Sequence, residues 1–75
     1  MMHQYPPLYV NIKGVDMILK VIFTFNEVNI KLCTSEGDLI GEEKIIHDNP
    51  VGYCEYIYKN KIKVAKSICR KRGIK

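Results

Sequence analysis

Apolar residues occupy every second position through the middle of the chain: Met17, Leu19, Val21, Phe23 and Phe25, then Val28, Ile30 and Leu32. A strand sends alternate side chains to opposite faces, so each row lines one side of a sheet. Asn26 and Glu27 lie between the rows. A two-residue turn there pairs Phe25 with Val28 and sets both rows on one face, although Asn-Glu is poorer turn chemistry than Asn-Gly. Upstream, Leu8, Val10 and Ile12 alternate with Tyr9, Asn11 and Lys13 as a short strand. A four-residue loop around Gly14 then pairs Ile12 with Met17, Val10 with Leu19 and Leu8 with Val21, again on the apolar row.

Beyond Leu32, Glu36-Gly37 suits a tight reversal with glycine at a left-handed position. Residues 39–46 form a fourth strand with imperfect alternation. Leu39-Ile40 and Ile45-Ile46 are adjacent pairs, and Glu42, Glu43 and Lys44 suit an exposed edge or a bulge. Asn49 is a good N-cap, and Pro50 belongs in the first helical position. From there Cys54, Ile57, Tyr58, Ile62, Ala65, Ile68 and Cys69 share one helical face. Gly73 past Arg72 marks the stop, and Arg70, Lys71 and Arg72 suit the negative end of the helix dipole. Residues 53–64 are also rich in strand-forming Tyr, Ile and Val and would suit a further hairpin. Their periodicity and the two end signals favour helix, with Lys61 inside the apolar arc reaching to water.

The expected fold is therefore α+β: a four-stranded antiparallel β-meander with strands near 8–13, 17–26, 28–34 and 39–46, and one long C-terminal α-helix over about 50–72 packed on one face. Residues 1–7, with Pro6-Pro7, form an extended lead-in in which His3 is solvated. Residues 8–75 form a single small ββββα domain.

Composition narrows the function classes. The 75 residues are 47% hydrophobic and 27% charged, which is globular rather than disordered. A domain this small buries only roughly 60% of its extended surface, which makes a homodimer attractive. Lys20 interrupts the greasiest stretch, so no membrane span is expected, and the N-terminal residues lack signal-peptide character. Cys33, Cys54 and Cys69 are an odd, irregularly spaced set, expected as free thiols in a cytoplasmic protein. Ten of the twelve basic residues are Lys and alanine occurs once. That bias is common among small phage and mobile-element proteins, and among many bacterial and archaeal ones, and carries no mechanism.

Candidate chemistry is thin. Cys33, His47 and Cys54 have no metal-ligand spacing, and Cys54 and Cys69 serve as small core residues. Ser35 and Ser67 have no nearby His, Glu42 and Glu43 point to opposite faces, and His47-Asp48 reads as a cap region. No phosphate loop occurs. No catalytic residue, metal, cofactor or small-molecule ligand is expected, and the chain is not expected to be an enzyme.

Two surfaces remain. The sheet face away from the helix would show Tyr9, Asn11, Lys13, Ile18, Lys20, Ile22, Lys31 and Cys33. There Tyr9, Ile18, Ile22 and Cys33 form an apolar patch, and Tyr53 and Tyr56 lie away from the core on the helix. On the helix, Lys59, Lys63, Lys66 and Arg70 recur at spacings of four, three and four, opposite the buried face, and Glu55 can pair with Lys59. The first reading is a protein-interaction module, a homodimer that binds or inhibits another macromolecule, as a phage accessory protein would. The alternative is a nucleic-acid-binding module whose helix stripe, or the sheet-face lysines Lys13, Lys20 and Lys31, contacts phosphates. Both surfaces also read simply as solvated faces.

Overall fold

The computed structural model describes residues 3–71. An antiparallel sheet of five strands carries two helices on one face. The strands are β1 (His3–Gln4), β2 (Leu8–Ile12), β3 (Val15–Phe23), β4 (Glu27–Thr34) and β5 (Leu39–Ile46), followed by α1 (Pro50–Lys59) and α2 (Lys61–Lys71). The class and the meander agree with the sequence, but there are five strands rather than four and two helices rather than one. The sheet order is β1-β3-β4-β5, with β2 pairing on the same side of β3 as β1.

The additional strand lies in the lead-in. His3 and Gln4 pair with Phe23 and Ile22, and the His3 ring stacks on Phe23 with centroids 5.2 Å apart. Pro6-Pro7 separates β1 from β2, so both short strands share the long β3.

Both hairpins take a register two residues away from the expected one. In the first, Ile12 pairs with Val15, Val10 with Met17 and Leu8 with Leu19. The connection is a two-residue turn, Lys13-Gly14, with φ of 53° and 84°. Positive φ at both positions is the mirror-type turn whose twist matches the strands. In the second, Phe23 pairs with Val28, and the Thr24 N–H donates to the Glu27 carbonyl at 2.8 Å. Phe25 therefore leaves the apolar row and sits at the loop tip, 84% exposed. Asn-Glu cannot supply the positive φ angles of a two-residue turn cheaply, so the chain spends more residues on the reversal. A shift of two keeps every side chain on its face, which is why the core survives both changes. Gly37, at φ 101°, makes the third reversal as expected.

The core is formed by Leu8, Val10, Ile12, Met17, Leu19, Val21, Val28, Ile30 and Leu32 from the sheet and by Cys54, Ile57, Ala65, Ile68 and Cys69 from the helices. Asn49 caps α1, its Oδ1 accepting from the Gly52 N–H at 3.2 Å, and Pro50 takes the first turn. The expected single helix breaks at Asn60, with φ −123° and ψ 34°. There the Asn60 N–H donates to the carbonyls of Tyr56 and Ile57, and its side-chain amide also donates to the Tyr56 carbonyl at 3.0 Å. A side chain competing for a helical carbonyl is an identifiable cause of a bend. Tyr58 and Ile62, expected on the buried face, are exposed. The buried line is narrower than a continuous wheel implies, because small Cys54, Ala65 and Cys69 seat the helices and leave their flanks past the sheet. The Gly73 stop lies outside the described residues.

Candidate functional site

On the helix layer, Lys59, Lys63, Lys66 and Arg70 are all exposed, as their spacing implied. They share one open depression of about 600 Å³ with Asn60, Lys61 and Ile62. The depression crosses the break, so the last residue of α1 and three turns of α2 face one volume. Lys61 joins them although the sequence placed it in the apolar arc; it is half-buried and reaches the rim. Among the described residues, none of these five cations has an acidic partner within ion-pair distance, and the expected Glu55–Lys59 pair does not form. Lys71, on the other side of α2, is paired to Glu43 of β5.

The charge distribution accounts for this. Residues 59–71 contain six basic residues and no acidic one. Residues 27–55 hold seven of the eight acidic residues and only two of the twelve basic ones. Six of these seven acids lie in β4, β5 and the connections that follow them, and the seventh, Glu55, lies in α1; α2 itself carries none.

Tyr53 and Tyr56 flank the start of this layer. Their rings stack at 5.7 Å, and His47 lies against Tyr53 at 5.2 Å. Tyr53 is half-buried against the core rather than pointing away from it, while Tyr56 is exposed. Burial and the nearby Glu43 carboxylate raise the Tyr53 phenol above its ordinary range. The His47 Nδ1 accepts from the Asn49 N–H at 2.9 Å, which ties the aromatic stack to the helix cap.

The opposite sheet face is built from cross-strand rows. Tyr9, Ile18, Cys33 and Leu39 form one continuous apolar row across β2, β3, β4 and β5. Tyr9 and Leu39 are exposed, whereas Cys33 is 5% exposed and so is floor rather than surface. Leu39 was not anticipated, because its place depends on the register shift beside Leu32 and Cys33. Lys20, Lys31 and Glu42 form the next row, and Gln4, Ile22, Asn29 and Lys44 the row beyond it. Ile22 is thus separated from Ile18 by a charged row. Tyr53 and Tyr56 are on the helical layer, and Lys13 is in the turn. The expected patch of Tyr9, Ile18, Ile22 and Cys33 is reduced to three of its members plus Leu39. Asn29 Oδ1 is buried on this side without a hydrogen-bond partner among the described residues.

Among the described residues no group of three or more His, Cys, Asp or Glu is placed to hold a metal ion, and no helix is long and apolar enough to cross a membrane. No protein-family model, curated protein sequence or solved structure matches the chain.

Proposed function

We propose that this chain is a small binding module that holds nucleic acid by its phosphates, through the face formed by Lys59, Lys61, Lys63, Lys66 and Arg70. The observation carrying this reading is that these cations converge on one open depression with no acidic partner among the described residues. Solvated lysines on an ordinary surface are interspersed with carboxylates, which lowers their mutual repulsion. Here the repulsion is left in place, and a polyanion would relieve it while releasing its own counterions. Lysine is a compact point charge without the planar fork that reads base edges, so contact is to backbone and independent of sequence. From Lys59 to Arg70 the face spans at most about 17 Å of helix, roughly five steps of duplex rise. Tyr56, exposed beside it, offers a ring for an unpaired base.

The test is fluorescence anisotropy of generic single-stranded DNA, duplex DNA and RNA across a salt series. With four to five phosphates neutralised, the slope of log affinity against log salt on duplex is about −4. Combining Lys63→Glu with Lys66→Glu abolishes binding and flattens the slope. An absence of binding near about 20 mM salt, or a slope indifferent to those variants, refutes the proposal.

A protein contact through the Tyr9–Ile18–Cys33–Leu39 row is the second reading, favoured by an apolar row whose ends, Tyr9 and Leu39, are exposed. It predicts that Ile18→Asp abolishes partner binding and leaves nucleic-acid affinity unchanged.

A further inference from the structure

On the sheet face away from the helices, β3 presents Asp16, Ile18 and Lys20 in succession, while Met17 and Leu19 between them are buried on the other face. Ile18 belongs to the apolar row Tyr9–Ile18–Cys33–Leu39, so an acid lies on one side of that row and a cation on the other. Lys20 stands directly opposite Lys31 across the strands, a like-charge pair that lowers stability. Lys31 has Glu42 as its neighbour on β5, whereas Lys20 has no ion pair among the described residues. Asp16 is exposed and accepts from the Asn11 amide through one carboxylate oxygen at 2.8 Å. There an open depression of about 460 Å³ is lined by Tyr9, Asn11, Asp16, Ile18 and Ser35. Apolar walls with a carboxylate among them suit a lysine, whose stem packs while its ammonium is paired.

We propose that a second copy of this chain packs on this face, sheet against sheet, about a two-fold axis lying along the apolar row. That rotation sets each strand over its own counterpart, running the other way, and exchanges the two sides of the row. Ile18 then lies on Ile18, and the exposed Tyr9 and Leu39 lie on their counterparts. Lys20 of each copy falls over Asp16 of the second copy, its stem in the depression, which gives two opposite-sign pairs. Sheets packed in this way stand about 10 Å apart with their strands about 30° from alignment, a gap that a lysine spans. Other arrangements oppose like charges. An axis along β3 sets Lys20 over Lys20 and Asp16 over Asp16, and one parallel to the strands between β3 and β4 sets Lys20 over Lys31. Moving the axis one row either way brings two Lys20 or two Asp16 side chains together. The axis along the apolar row also leaves both helix layers on the outside, so the cations of the two α2 helices do not meet.

The proposal rests on the protein-contact reading of this row, names its partner as a second copy, and is tested without nucleic acid. Sedimentation velocity over a wide concentration range is expected to show a species of twice the 8.7 kDa chain mass. Asp16→Lys and Lys20→Glu are each expected to weaken the dimer at least about tenfold, in line with reversing two charge pairs. Lys20→Glu also places opposite signs on Lys20 and Lys31 positions within one copy, so its loss of dimer is not a loss of fold. Combining the two reversals restores the dimer, because opposite signs again face each other. Ile18→Asp abolishes it, and Lys66→Glu, on the helix layer, leaves it unchanged. Circular dichroism reports that each variant is folded. A wild-type chain monomeric throughout overturns the dimer while leaving the row to a different protein. A dimer that survives Ile18→Asp overturns the protein-contact reading of the row as well. A double reversal that stays dissociated although folded overturns the two-fold pairing of Asp16 with Lys20.

Discussion

Cys54 lies beneath α1, 1% exposed and in the shared core, and burial raises its thiol above the ordinary value of 9.0. Tyr53, one residue earlier, has its phenol raised above 10.0 mainly by burial. In both cases the folded chain holds the proton more tightly than the unfolded chain does. The stability these groups share in is therefore full below about pH 9 and falls as pH rises through the thiol and phenol range. Urea unfolding at stepped pH should show a midpoint that declines above about pH 9, and Cys54→Ala should reduce the first part of that decline. Alkylation of native protein is expected to reach Cys54 last, because it is the least exposed of the three thiols and its burial disfavours the reactive thiolate. The spacing of Cys54 and Cys69 made their burial legible. That of Cys33 was not: it is buried on the opposite face by strand neighbours, which no single-strand pattern encodes.

At the scale of elements, what alternation reveals is a face, and what it leaves open is the register. The rows Met17-Leu19-Val21 and Val28-Ile30-Leu32 are buried together whether the turn takes two residues or four. Only the local cost of the reversal decides between these, and Asn-Glu and Lys13-Gly14 solve it differently. Lys13 holds φ 53° without the tolerance of Asn or Gly. Lys13→Asn is expected to stabilise the protein by about 0.5 kcal/mol in denaturant unfolding, since Asn-Gly is the preferred pair for this turn. The cap of α1 was legible because Asn49 and Pro50 act locally; Asn49→Ala should cost about 1 kcal/mol. Gly52 is less obvious. A Cβ there would lie 2.5 Å from the capping amide of Asn49. Gly52→Ala gains about 1 kcal/mol of helix propensity and disturbs a cap of similar worth, so the net change is expected near zero. The break at Asn60 escaped the sequence because apolar spacing continues through it. Its cause is one side chain that bonds a carbonyl of the preceding turn.

Across the whole molecule, six of the eight acids gather in β4, β5 and the connections that follow them, while every charge on the outward face of α2 is a cation. Lys59, Lys63, Lys66 and Arg70 could be read from their periodicity; Lys61 could not, because its rim position follows from the bend. Unpartnered like charges on one face destabilise the fold that holds them, and salt screens that repulsion within about 10 Å at 0.1 M. The same cations bind a polyanion best when salt is low. Stability and binding are therefore expected to respond to salt in opposite directions: the melting temperature rises, and nucleic-acid affinity falls, as sodium chloride is added. Lys66→Glu separates a working surface from a merely solvated one. Placing a carboxylate among Lys59, Lys63 and Arg70 relieves repulsion, so melting in low salt should be unchanged or a few degrees higher, as expected for up to about 0.5 kcal/mol in a domain of this size. Affinity for generic duplex should fall by roughly tenfold or more, because one phosphate contact is lost and one repulsion gained. A face kept only for solubility would show the stability gain with no binding to lose, whereas a face shaped for phosphate contact pays for its affinity in stability.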